Sequence, residues 1–274
     1  MRNSKKIISA LIIIFVIIMI IIVSNKILKS KNKNISSLEP TAKVEDMSAS
    51  SVPIAKVDSS TETSPQIKSE YHINENYNVV PNDINGNKKV ILITIDDGPT
   101  KQAIGMMDTL NKHNAKAIFF INGIHNSGAP GVLQKEKEEG FSIGNHTWDH
   151  LNLKKEKKES VINDEINKNT KLITDLTGSA PRFFRPPYGA STPYVRNLVK
   201  QEGMIFMNWS GAALDWEKNT HIESVFLKNV LSTVHPGEIL LIHEHLWTAN
   251  DLNAMLTQLE QKGYTFLNPD QITS

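Results

Sequence analysis

Val90-Ile91-Leu92-Ile93-Thr94-Ile95-Asp96-Asp97-Gly98-Pro99 is an apolar run that ends abruptly in two carboxylates, a glycine and a proline. A short, nearly continuous apolar run rich in β-branched residues reads as a strand covered on both faces, the kind that builds parallel sheets. Gly98 permits a tight turn, and Pro99 ends strand pairing. Adjacent carboxylates on a strand end point to different sides because side chains alternate. One is then free to ligate a metal while the other faces a substrate water. Taken alone, the same letters also fit a strand-to-helix turn in which an Asp caps the next helix.

Further apolar runs follow at 117–121, 141–144, 183–185, 205–209, 239–243 and 265–267. Helical stretches lie between them near 102–111, 131–139, 156–176, 192–201, 222–234 and 250–262. Strands alternating with helices predict parallel βα units. The region 88–274 is short beside the ~250 residues of a regular eight-fold barrel. The predicted fold class is therefore α/β, a distorted, incomplete (β/α) barrel.

Seven polar residues share one address in this scheme. Asp96, Asp97, His146, His150, Arg185, Asp215 and His243 all fall at or just beyond the C-terminal end of a predicted strand or strand-like segment. In an α/β barrel that end carries the active site.

His146-Thr147-Trp148-Asp149-His150 spaces two imidazoles four residues apart, and a helical turn would set both on one side. With the Asp pair they supply a carboxylate and two histidines for one divalent metal, and a second carboxylate to act as a base. Asp149 reads as solvent-facing. In Arg185-Pro186-Pro187-Tyr188-Gly189 the prolines stiffen a loop that can aim Arg185 at Asp96 and present a backbone N–H to an oxyanion. Asp215-Trp216 offers a buried charge partner beside an aromatic wall suited to a sugar. His243 ends the buried run Leu241-Ile242 and suits a general acid titrating near neutrality.

TIDDG, HTWDH, RPPYG, LDW and LLIH, in this order and at these intervals, resemble the five motifs of the NodB-homology polysaccharide deacetylases, carbohydrate esterase family 4. The resemblance covers about residue 88 to the C-terminus and implies the NodB-type barrel. It implies Asp97, His146 and His150 as metal ligands, zinc first, with cobalt, manganese or nickel as alternatives. It implies Asp96 as the base that activates water, oriented by Arg185, and His243 as the acid that protonates the leaving amine, tuned by Asp215. The backbone N–H of Tyr188 would stabilise the oxyanion, while Trp216 and Leu241 would shape the slot for the acetyl methyl. Two departures stand out. Ile95 replaces the family's usual Phe, and Ala212 stands where D-x-x-D-W has its first Asp. If that Asp only supports its loop, activity survives; if it holds Arg185 or a substrate hydroxyl, turnover or specificity changes.

The whole chain has 274 residues, 30 basic and 29 acidic, for a net charge of +1. Without a basic field, nucleic acid is not the expected partner. The absence of Cys removes disulfides, thiolate metal sites and Cys nucleophiles together. Residues 7–23 form an apolar run of 17 whose only polar member is Ser9, spanning about 25 Å as a helix. Basic residues precede it and no small-residue cleavage pattern follows. Residues 1–29 are therefore read as an uncleaved signal anchor, a transmembrane helix. Lys26, Lys29, Lys31 and Lys33 follow the span, so charge does not orient it; function places the bulk outside. Residues 30–87 are rich in Ser, Thr, Lys, Glu, Asn and Pro and read as a disordered extracytoplasmic linker, with 71–87 as a candidate arm on the domain.

The expected protein is a single-pass, membrane-anchored N-deacetylase facing the cell wall, acting on N-acetylglucosamine in peptidoglycan as a monomer. The alternatives are a catalytically silent wall-glycan-binding protein of the same fold and an O-deacetylase of the chitin or xylan type.

Overall fold

In the computed structural model the described residues are 70–273; the predicted anchor at 1–29 and the 30–69 part of the predicted linker lie outside them. Among the described residues no helix is long and apolar enough to cross a membrane.

Strands β3 (Val90–Gly98), β4 (Ala117–Ile121), β5 (Ser142–Asn145), β6 (Phe183–Phe184), β7 (Ile205–Phe206), β8 (Gly211–Ala212) and β9 (Glu238–His243) pair in parallel in the order β7-β6-β5-β4-β3-β9-β8. This is chain order bent round on itself, with no ladder between β7 and β8. Those two strands are joined without a helix, and the barrel stays open there, as the short domain requires. A final strand, β10 (Thr265–Phe266), pairs only with the start of β3. Helices α1 (Gln102–Lys112), α2 (Val132–Glu138), α3 (Glu159–Thr177), α4 (Pro193–Gln201), α5 (Glu223–Thr233) and α6 (Leu246–Gln261) connect the strands.

Side-chain alternation explains how the barrel builds a site. Along β3, Ile91, Ile93 and Ile95 face the helices and pack with Met106, Met107 and Leu110 of α1, whose spacing presents one apolar stripe. Val90 and Leu92 face inward, against Ile118, Phe120, Phe183 and Ile239. The same inward row continues to Thr94 and Asp96, and on β9 it runs from Ile239 through Leu241 to His243. Each inward row turns polar at its C-terminal end.

Two expectations change here. Residues 71–87 form the candidate arm on the domain rather than part of a disordered linker. Strands β1 (Tyr71–Ile73) and β2 (Val79–Pro81) form an antiparallel hairpin, Tyr71 and Val79 are buried in the inner core, and the Val79 N–H donates to the Gly237 carbonyl. Helix α6 begins at Leu246 rather than near residue 250, directly after the strand that carries His243.

Candidate active site

Asp96 is buried and Arg185 is wholly so. Arg185 Nη1 donates to Asp96 Oδ1 at 2.7 Å and to Thr94 Oγ1 at 2.8 Å, and Nη2 donates to the Asn208 carbonyl at 3.0 Å. The guanidinium also lies over the Phe120 ring, 4.4 Å from its centroid. Burial raises the Asp96 pKa above the ordinary carboxylate value, against the opposing pull of Arg185 and His243. A carboxylate held this way keeps its geometry and is a stronger base than an exposed one.

Asp97 does not follow strand alternation. Its φ of 68° and the register shift between Ile95 and Gly98 rotate it back, so both carboxylates face one cleft rather than opposite sides. The histidine pair also departs from expectation: residues 146–150 form a loop, not a helical turn, with Thr147 at φ 72° and His150 at φ 64°. Of seven non-glycine residues with positive φ among the described residues, five (Asp97, Thr147, His150, Tyr188 and Leu214) are motif residues or their direct neighbours. Such strain persists only where surrounding contacts impose it. Here they do. Asn145 Oδ1 accepts the Thr147 N–H at 2.8 Å, and Glu165 Oε2 accepts those of Trp148 and Asp149 at 3.0 Å each.

His146 Nδ1 lies 2.7 Å from the Arg185 carbonyl oxygen. That oxygen only accepts, so Nδ1 carries the proton and the Nε2 lone pair faces the carboxylates. Burial pushes the His146 pKa down to about 3, outweighing Asp97, so the ring is neutral, as a metal ligand must be. His146 Nε2 is 3.7 Å and His150 Nε2 is 3.4 Å from Asp97 Oδ1. Two ligands of one tetrahedral zinc stand about 3.4 Å apart. Asp97 Oδ1 is buried without a hydrogen-bond partner. Donor type, tautomer, spacing and the orphaned oxygen all fit a divalent cation held by Asp97, His146 and His150.

On the neighbouring strand, His243 Nδ1 donates to Asp215 Oδ1 at 2.7 Å. Asp215 is fully buried, and its Oδ2 accepts from the His243 N–H and the Thr248 hydroxyl. Burial disfavours a charged His243, but the Asp215 hydrogen bond and charge, joined by Asp96 and Asp97, win and push its pKa up to about 9. Trp216 stands edge-on to the His243 ring, with centroids 5.4 Å apart, and Tyr188 edge-on to His150 at 4.6 Å. Tyr188, Trp216 and Leu241 line the cleft of about 420 Å³ into which Asp96, Asp97 and the three histidines open.

All ten residues singled out from the sequence therefore meet at one cleft or directly behind it. Ala212 on β8 pairs in register with Leu241 on β9, and the Asp96–Arg185 and His243–Asp215 pairs form without a carboxylate at 212. Glu165, Asn145, Thr248 and the cleft-lining Trp209 were missed. Asn145 carried a readable signal, an amide at a strand end immediately before His146; Glu165 and Thr248 sit in helices whose polar residues look like any solvent face.

Comparison with known proteins finds likeness in both sequence and fold. The polysaccharide deacetylase family profile matches residues 83–207. The peptidoglycan-N-acetylglucosamine deacetylase PgdA of Listeria monocytogenes is 37% identical over 186 residues, 67% of this chain but only 39% of the relative's length. A Bacillus cereus peptidoglycan-N-acetylglucosamine deacetylase is 32% identical over 222 residues, 77% of this chain and 81% of the relative. Among solved structures, a Bacillus anthracis protein described as a pseudoenzyme of carbohydrate esterase family 4 superposes with a TM-score of 0.62 at 28% identity, covering 66% of this chain and 63% of that one.

Proposed function

This chain belongs to the polysaccharide deacetylase family, and from its cleft we propose that it hydrolyses the acetamide of N-acetylglucosamine residues in a cell-wall glycan, peptidoglycan, releasing acetate and leaving a free amine. One observation carries the reading. A buried carboxylate and a proton-bearing imidazole, each braced by its own partner, face the same cleft as an Asp–His–His donor set.

Amides resist hydrolysis because water is a weak nucleophile and an amine anion a poor leaving group. Asp96 takes a proton from the attacking water, and Arg185 keeps its carboxylate aimed at the cleft. The backbone N–H of Tyr188 donates to the oxygen that gains charge. His243 gives its proton to the nitrogen as the carbon–nitrogen bond breaks, while Asp215 holds the ring in the right tautomer. Trp216 and Leu241 wall the space for the acetyl methyl. A divalent cation, zinc by donor type, bound to Asp97, His146 and His150 would polarise the carbonyl and make water easier to deprotonate.

The likeness to peptidoglycan deacetylases supports the wall glycan as substrate. The apolar run at 7–23 supports a membrane anchor that holds the domain on the wall side. Ala212, together with the likeness to a pseudoenzyme, supports a second reading: a wall-glycan-binding protein without turnover.

One experiment separates these readings. The full chain is incubated with N-acetylglucosamine oligomers and with peptidoglycan, with and without zinc, and acetate and free amine are both quantified; Asp96→Asn is the control. Equal release of both, lost with Asp96→Asn by about 10²–10⁴-fold, supports N-deacetylation. Acetate without amine points to an O-acetyl ester. Glycan binding without release from folded, metal-loaded protein supports the silent binder.

A further inference from the structure

Asp215, His243 and His245 bring a carboxylate oxygen and two imidazole nitrogens within 4.8 Å of one another. This cluster shares no residue with Asp97, His146 and His150. We propose that Asp215, His243 and His245 form a second, weaker site for a divalent cation of the zinc class, and that filling it switches off the acid His243. The consequence for activity rests on the function proposed above; the site itself does not.

The donor chemistry is that of the first site, two imidazoles and one carboxylate. Two of the three donors are already fixed. Asp215 is fully buried, and the Thr248 hydroxyl and the His243 N–H hold its Oδ2. The third is adjustable. The His245 ring is half-buried and stacks on His243 at 5.5 Å and on Trp247 at 4.3 Å, both at 25° between planes. Its nitrogens make no hydrogen bond among the described residues, so a turn about its side-chain torsions can aim one at the other two donors.

Binding exchanges a proton for the cation: the proton that His243 Nδ1 donates to Asp215 leaves to solvent as the nitrogen–metal bond forms. The second cation therefore competes with a proton and binds more weakly than the first. A His243 ring tied to a cation through Nδ1 cannot become an imidazolium and keeps only the Nε2 proton of a neutral imidazole, a far weaker acid toward a departing amine. Activity should rise with the first equivalent of zinc and fall with the second.

The test uses the full chain, stripped of metal by a chelator and titrated with zinc chloride by calorimetry. Two sites of unequal affinity are expected. His245→Phe keeps an aromatic ring on Trp247 and removes both nitrogens; His245→Gln removes the ring. Each should weaken the second site by at least about 10-fold and leave the first intact, which also reports a folded chain. His150→Gln should do the reverse. A single zinc per chain, or a second zinc that neither His245 variant disturbs, overturns the proposal. So does a second zinc that binds at His245 while acetate release continues undiminished. Absence of acetate release in every metal state refutes the function proposed above and leaves the binding result to decide the site.

Discussion

Asp96 and His243 are direct cross-strand partners in the parallel β3–β9 ladder. The base and the acid of the proposed reaction thus stand on adjacent strands at one level, and each is braced from a different element. Arg185 after β6 reaches across the barrel to Asp96, and Asp215 after β8 holds His243. The pair is useful only when Asp96 has lost its proton and His243 has kept its own. Burial raises the Asp96 value, while Asp215, Asp96 and Asp97 overcome burial to hold the His243 proton to about 9. The working window therefore lies between the raised Asp96 value and about 9.

A bell-shaped pH dependence of kcat/KM follows. Its acid limb rises as Asp96 ionises, above the usual carboxylate value. Its alkaline limb falls as His243 deprotonates, at about 9 in the metal-free protein and lower once a cation offsets Asp97. Asp215→Asn removes the largest favourable contributions and leaves the burial that lowers the pKa. The alkaline limb should then move to lower pH by about one unit or more. An unmoved limb in that variant would remove His243 from the role of acid. Stability follows the same linkage: the contribution of His243 is complete below its unfolded value of about 6.5 and is lost as pH rises through about 9.

The strand-end address of the site was legible in the sequence because the barrel rests on alternation. Val90, Leu92, Thr94 and Asp96 are one inward row, and the change from apolar to polar along it marks the top of the barrel. The behaviour of Asp97 was not legible, because a bulge and a positive φ override alternation. Nor was the loop at His146 and His150, since four-residue spacing fits a helix equally well. Strand β8 is two residues long, Gly211–Ala212, too short for any period. The hairpin was hidden by its composition: only Tyr71 and Val79 of its six strand residues are buried, and the polar, Asn-rich turn at 74–78 between the strands resembles a linker.

Glu165 should prove necessary for metal affinity although it faces away from the cleft. Its Oε2 accepts two backbone N–H groups, from Trp148 and Asp149, and so holds the strained loop that aims His150. Glu165→Ala should weaken zinc binding about 10–100-fold, with Glu165→Gln, which keeps an acceptor, less affected. Competition against a chelator of known affinity measures both. Unchanged affinity in Glu165→Ala would mean that Asn145 alone sustains the loop.

Two glycine-to-alanine substitutions should act in opposite directions. A Cβ at Gly144, on the inward row that leads to His146, would lie 2.4 and 2.5 Å from two atoms of the Phe120 ring. Phe120 is fully buried and cannot yield cheaply, so Gly144→Ala should destabilise by about 1–3 kcal/mol. A Cβ at Gly105, exposed on α1, meets nothing within 4 Å. Gly105→Ala should stabilise by about 0.5–1 kcal/mol through helix propensity. Urea unfolding of the two variants beside the parent checks both signs.

The hairpin sets where the folded unit begins. Tyr71 and Val79 are 5% and 2% exposed and pack with Leu92, Ile239, Leu267 and Ile272 in the inner core. Backbone hydrogen bonds also tie the arm to the Gly237 carbonyl and to the C-terminal Thr273. A fragment starting at Lys88 keeps every site residue but leaves that end of the barrel uncovered. Losing the burial of two large side chains, at about 1.5–3 kcal/mol each, removes about 3–6 kcal/mol, a large share of the ~5–15 kcal/mol typical of a domain. Fragments starting at Glu70 and at Lys88 should therefore unfold at clearly different urea midpoints, the longer one higher. Because Asp96 and His243 sit at the opposite end of their strands from this contact, the shorter fragment, where folded, should still bind zinc at the Asp97 site. Equal midpoints would place the hairpin outside the core, and Tyr71 and Val79 would then contribute little to the stability of the barrel.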